Sequence, residues 1–225
     1  LNAASRSSLS RLRGILARVR APKRRLSRKA ESALSPRQLE ILDVLEEWIL
    51  RGGFADVTMA EIAKRAGCSM RTLYGIAPSK DALVLALLDR RLHRIGREAI
   101  RALDLEEPPL ERLRAYLRAT NLAVQPNTAA FSNDFARVPG APALNEAHAA
   151  YVVAITRALL DEAVAEQQIG EINTAAVAHI LGRLGNDFSR PSLQNIISGA
   201  PQTTADAIAE IIFAGLRATS ETVKT

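Results

Sequence analysis

With 225 residues, 48% of them apolar, the chain can enclose a sizeable core, as one compact domain or as a small domain joined to a larger one. No apolar run approaches the roughly 18 residues of a membrane span, and none follows the basic start as a secretory signal would require, so no membrane span and a cytoplasmic location are expected. A single cysteine, Cys68, excludes an internal disulfide and is read as a small packing residue.

The net charge of +6 is unevenly placed, because residues 1–35 hold ten Lys/Arg against one acid, a net of +9, and the remainder sums to −3. Residues 1–34 are therefore read as a basic N-terminal extension. Leu9, Leu12, Ile15, Leu16 and Val19 recur at near-helical spacing among Arg11, Arg13, Arg18 and Arg20, the pattern of a basic amphipathic helix. Three roles remain open for it: a solvated extension, an accessory DNA arm, or attachment to a membrane surface.

Ser35-Pro36-Arg37-Gln38 is a helix start, with a capping hydroxyl, proline at the first helical position and Gln38 closing the box. Leu39, Ile41, Leu42, Leu45, Trp48 and Ile49 then follow a helical stripe, and Gly52-Gly53 stops it before Phe54; Trp48 and Phe54 are expected in the core. Thr58 with Glu61 reads as a second capping box, opening a helix over 59–66 that Gly67 ends. Ser69 caps a third, over 70–74. Two helices joined by so short a turn cross steeply and leave the second prominent, a geometry that suits a DNA major groove.

The run from Val57 to Tyr74, followed by Pro78-Ser79-Lys80-Asp81-Ala82-Leu83, resembles the DNA-binding domain of the tetracycline-repressor (TetR) family over about residues 36–83. The resemblance implies an all-α fold: a three-helix helix–turn–helix domain over 35–83 and a larger helical domain for ligand binding and dimerisation over 84–225. It also implies the DNA contacts. Thr58 meets phosphate through its hydroxyl or the helix end it caps, while Ser69, Met70, Arg71 and Thr72 stand at the entering end of the recognition helix. Arg71 is suited to a guanine edge, and Met70 or the Thr72 methyl to a thymine methyl. Tyr74 and Lys80 are assigned to backbone phosphate. The sequence departs from the family at Gly75-Ile76-Ala77, where Gly75 is expected to end the recognition helix early and Ala77 to omit an aromatic plug.

Pro78 and Ser79 open a helix expected to continue to about Leu103, which in the resembled family connects reader and ligand domain. Its Arg90, Arg91, Arg94, Arg97 and Arg101 are read as a solvated or salt-bridged face. Helical patterns follow at about 110–125, 127–137, 143–169, 172–188 and 203–220, with no strand pattern. The small residues of the last two would let Ile180, Leu184, Ile208, Ile211, Ile212 and Leu216 pair with their counterparts in a homodimer. A ligand cavity implied by the family has as candidate lining Tyr116, Asn121, Phe131, Phe135, Tyr151 and Asn186. Asp134 and Arg137 are read as a surface pair or a polar pocket end.

No catalytic constellation, nucleotide-cradling glycine loop or nucleophile elbow is evident, so no enzyme activity and no cofactor are expected. His93, His148 and His179 lack the close spacing of a metal site, and none is assigned a metal. The reading is thus a ligand-responsive transcriptional regulator, a repressor that binds a double-stranded, pseudo-palindromic operator as a homodimer and answers to an unknown small-molecule effector. The residues leave open an activator, a ligand-independent regulator, or a helical ligand-binding protein with weakened DNA recognition.

Overall fold

The computed structural model describes residues 14, 19–25, 31–32, 34–122, 128–194 and 196–222, and among them the fold is all α-helix with no strand. Most of the basic extension, with its expected amphipathic helix, lies outside the described residues. The chain forms two compact units: Lys23–Arg94 with Pro126–Glu146, and Leu1–Pro22 with Ile95–Gln125 and Ala147–Thr225.

In the first unit, α1 (Pro36–Gly52) starts on the reciprocal box read from the sequence. Ser35 Oγ accepts the Gln38 amide at 3.2 Å, and Gln38 Oε1 accepts the Ser35 amide at 2.9 Å. The helix ends at Gly53, whose φ of +75° costs glycine little. Next come α2 (Met59–Arg65) and α3 (Met70–Ile76). Gly67 at φ +61° turns the chain between them, so that Cys68 N reaches Ala63 O at 2.9 Å, the long bond of a Schellman ending. Arg37 of α1 donates to Gly67 O at 3.3 Å and fixes the turn from outside.

The expectation that Gly75 ends the recognition helix early is corrected. Ala77 N still reaches Leu73 O at 3.1 Å, and the helix runs through Gly75 to Ile76. A glycine inside a helix costs about 1 kcal/mol, whereas burying Leu73 and Ile76 contributes about 1.5–3 kcal/mol each, so packing decides. Both side chains join the core with Ile41, Leu45, Ile62 and Leu83. Its aromatic filling comes from elsewhere. Phe54 precedes α2, while Phe131 and Phe135 lie on α6 (Ala129–Ala136), with centroids 6.1 Å apart for Phe54–Phe131 and 5.6 Å for the stacked Phe131–Phe135. Trp48 is only half-buried and carries the Arg65 guanidinium 4.6 Å above its ring.

The connecting helix α4 (Lys80–Arg101) faces α1 with its arginines, and this stretch of the expected basic face is salt-bridged. Buried Glu46 pairs with Arg91 at 3.3 Å and with Arg94, and Arg90 spans Glu31 at 3.0 Å and Asp43 at 2.6 Å. Glu31 also takes Arg24 at 2.6 Å, and Arg25 N donates to Asp89 at 2.8 Å, so this end of the basic extension is docked.

The second unit packs α5 (Pro109–Leu122), α8 (Thr174–Phe188) and α10 (Pro201–Thr222) against one another, with the later part of α7 (Ala141–Ala165) and the short α9 (Pro191–Gln194). Leu113, Tyr116, Ile155, Leu159, Leu181 and Phe213 form its core. Arg112, 2% exposed, pairs with Glu162 at 3.2 Å and donates from Nε to Glu107 O at 2.9 Å, so the buried guanidinium is both neutralised and hydrogen-bonded. α7 stops at Ala165, short of the expected end at 169, because Gln167 turns into left-handed space at φ +56° and lets Gln168 N close on Ala163 O at 2.9 Å. Among the described residues, no helix is long and apolar enough to cross a membrane.

Candidate nucleic-acid interface

The reader's outer face is built by the two capping residues and by what their helices leave exposed. At α2, Thr58 Oγ1 accepts the Glu61 amide at 3.2 Å and donates to Glu61 Oε2 at 2.8 Å, while that carboxylate accepts the Thr58 amide at 2.7 Å. The threonine hydrogen is thus spent within the box, and the contact proposed for Thr58 runs more readily through the end of the helix. The Thr58 amide first, then its hydroxyl, holds the Glu61 carboxyl below its usual range.

At α3, Ser69 Oγ accepts the Thr72 amide at 3.1 Å and shares a hydrogen with Thr72 Oγ1 at 2.9 Å, so both hydroxyls are tied to the helix start. Arg71 and Tyr74 are exposed, the tyrosine by 50%, while Leu73 between them in sequence is wholly enclosed. Met70 is half-buried against the core, leaving part of its side chain outward. Lys64 and Arg65 are exposed on α2 and add positive charge to this side; they carry no spacing signal that would have singled them out. Lys80 is placed differently from the rest. Its Nζ donates to Phe54 O at 3.2 Å and Ala55 O at 2.7 Å, so the ammonium expected on phosphate is engaged with the α1–α2 loop.

The six ligand candidates are divided between the two units. Phe131 and Phe135 lie in the reader's core, whereas Tyr116, Asn121, Tyr151 and Asn186 lie in the second unit. Asn121 donates to Asp206 at 2.8 Å, and Asn186 is half-buried on α8. Tyr116 is wholly enclosed, its hydroxyl has no hydrogen-bond partner among the described residues, and burial first, then nearby Tyr151, pushes its ionisation upward. Asp134, considered from the sequence with Arg137 as a surface pair or a polar pocket end, accepts from the amides of Phe54 and Ala55.

Residues 41–87 match the sequence profile of the bacterial regulatory proteins of the tetR family. An uncharacterised helix–turn–helix transcriptional regulator of Mycobacterium tuberculosis is 40% identical over 90 residues, 40% of this chain and 44% of that protein. The transcriptional repressor KstR of Mycolicibacterium smegmatis is 33% identical over 101 residues, 45% of this chain and 50% of that protein. The chain spans about half the length of the curated relatives it matches. Among solved structures, a TetR transcription regulator from Haloarcula marismortui superposes with a TM-score of 0.59 at 19% identity, over 81% of this chain and 99% of that one. Reduced NemR of E. coli does so with 0.61 at 18%, over 78% and 97%. Such likenesses show the fold alone. Residues 41–87, which run from α1 through α2 and α3 to the start of α4, are thus similar to the bacterial regulatory proteins of the tetR family, and the all-α fold is shared with the solved structures along most of the chain.

Proposed function

We propose that the chain is a ligand-responsive transcriptional regulator, a repressor that acts in the cytoplasm by binding a pseudo-palindromic operator as a homodimer. The observation that carries the DNA half is α3 itself. Leu73 and Ile76 anchor one face in the core, which presents Arg71 and Tyr74 outward on a rigid helix. The profile match covers this part of the chain, and a repressor is named among the relatives.

The homodimer is supported by α8 and α10, where Ile180 is 53% and Ile211 72% exposed, with Ala175, Ala176, Ala207, Ala214 and Gly215 also outward. Exposed apolar side chains among small residues suit helix pairing with a second copy. For the effector, Tyr116 supports a polar anchor within an apolar surround, since an enclosed hydroxyl without a partner is costly unless a bound molecule supplies one. Release then follows if the effector binds the DNA-incompetent arrangement better, about 1.4 kcal/mol for each tenfold loss of operator affinity.

The test is selection of DNA from a random pool by the full-length protein. A consensus with two inverted half-sites supports the reading. Enrichment of no sequence would contradict it and favour a helical ligand-binding protein without operator recognition.

A further inference from the structure

The dipeptide Phe54-Ala55, in the loop between α1 and α2, has its polar backbone taken by two side chains from distant parts of the sequence. Both amides donate to Asp134 Oδ2 of α6, at 2.6 Å from Phe54 and 2.8 Å from Ala55. Both carbonyls accept from Lys80 Nζ at the start of α4. Thr128, the cap of α6, adds bonds from its amide and its hydroxyl to Leu50 O, each 3.3 Å. Gly53 completes the fit, because a Cβ there would lie 2.7 Å from Asp134 Oδ2, and its φ is in left-handed space.

We propose that Asp134 is a positioning residue for operator reading, an inference that rests on the DNA-binding function above. Its carboxylate fixes Phe54 and Ala55, which lead within three residues to the Thr58 cap and so to the start of α2. A glycine-preceded loop has many conformations, and one acceptor serving two successive amides selects a single one. Base reading requires Arg71 to be placed within fractions of an ångström, whereas attraction to the phosphate backbone tolerates displacement. Loss of Asp134 therefore weakens operator binding and leaves binding to unrelated DNA nearly unchanged.

The test uses the full-length protein as wild type, Asp134→Ala and Asp134→Asn, measured on the selected operator and on a scrambled duplex at one salt concentration. Amide hydrogen exchange at Phe54 and Ala55 is followed in parallel. Asp134→Ala is expected to lose about tenfold on the operator and to stay within about twofold on scrambled DNA, with faster exchange at both amides. Asp134→Asn keeps an acceptor oxygen and loses the charge, so it is expected to restore both readouts. An alanine variant with the wild-type ratio overturns the assignment, as does an asparagine variant as impaired as the alanine one, which would trace the effect to charge. If the alanine variant does not fold, the asparagine variant decides: a wild-type ratio with slow exchange supports the acceptor role, and a reduced ratio overturns it. Wild-type protein that selects no sequence would overturn the operator function and this role with it, whereas failure of Asp134 alone leaves the operator function standing.

Discussion

Tyr116 and Glu61 are displaced from their solution chemistry in opposite ways. Tyr116 has lost water without gaining a hydrogen-bond partner among the described residues, so its hydroxyl contributes nothing to the unliganded fold. Tyr116→Phe should leave the free energy of unfolding in urea unchanged or raise it by about 1 kcal/mol, whereas a clear loss would mean that the hydroxyl is bonded after all. Glu61 is fully exposed, yet the Thr58 amide and hydroxyl favour its charged form and lower its pKa from the ordinary 4.5. A carboxylate depressed by folding stabilises the fold above its unfolded-state pKa, and that contribution is lost as pH falls through the folded value. The first amides of α2 should therefore lose exchange protection as pH falls below the ordinary carboxylate range, before those of α1, whose box uses the uncharged Gln38. Simultaneous loss in both helices would contradict this.

At the scale of elements, what was legible in the sequence follows from how local the cause is. The starts at Ser35, Thr58 and Ser69, and the turn at Gly67, are set by residues within a few positions of one another, and each was readable. At Gly75 the burial of Leu73 and Ile76 outweighs the local preference of glycine, and burial is a property of the assembled core that no neighbouring residue announces. Asp134, Lys80, Arg37 and Arg112 each have a partner 25 to 80 residues away, with no local pattern to announce it. The same holds for Phe131 and Phe135: an aromatic pair one turn apart fits a ligand cavity or a core equally well, and the fold spends it on the reader.

The ion-pair cluster between α1 and α4 also belongs to this scale. Glu46 is 6% exposed and faces Arg91 and Arg94, so removing it leaves two cations beside an apolar core. Arg94 retains 37% of its surface and can rehydrate, which places the cost below that of a wholly buried pair. Glu46→Ala should destabilise by about 2–3 kcal/mol, read from the urea midpoint; a change below about 0.5 kcal/mol would mean that solvent already screens the cluster.

Across the whole molecule, the small residues of α8 and α10 divide into two sets. Gly182 serves packing within the chain, since a Cβ there would lie 2.9 Å from Val153 Cα, and Ala178, Gly185, Ala205 and Ala209 are buried. Leu216 is likewise used inside, while Leu184 and Ile212 are half-buried against the same core and Ile208 is half-buried. The outward set, with Ile180 and Ile211, is the one that the proposed homodimer would use. Ile180→Asp with Ile211→Asp should yield a folded monomer in light scattering with unchanged helicity, and a dimer that persists would move the interface elsewhere.

The central claim is that α3 reads bases through Arg71. It is tested most directly by the affinity of Arg71→Ala, relative to wild type, for the selected operator and for a scrambled duplex. The account predicts a loss of about 1–3 kcal/mol on the operator, relaxed discrimination at one base position in each half-site, and a much smaller loss on scrambled DNA. An equal loss on both would assign Arg71 to the phosphate backbone and contradict the claim.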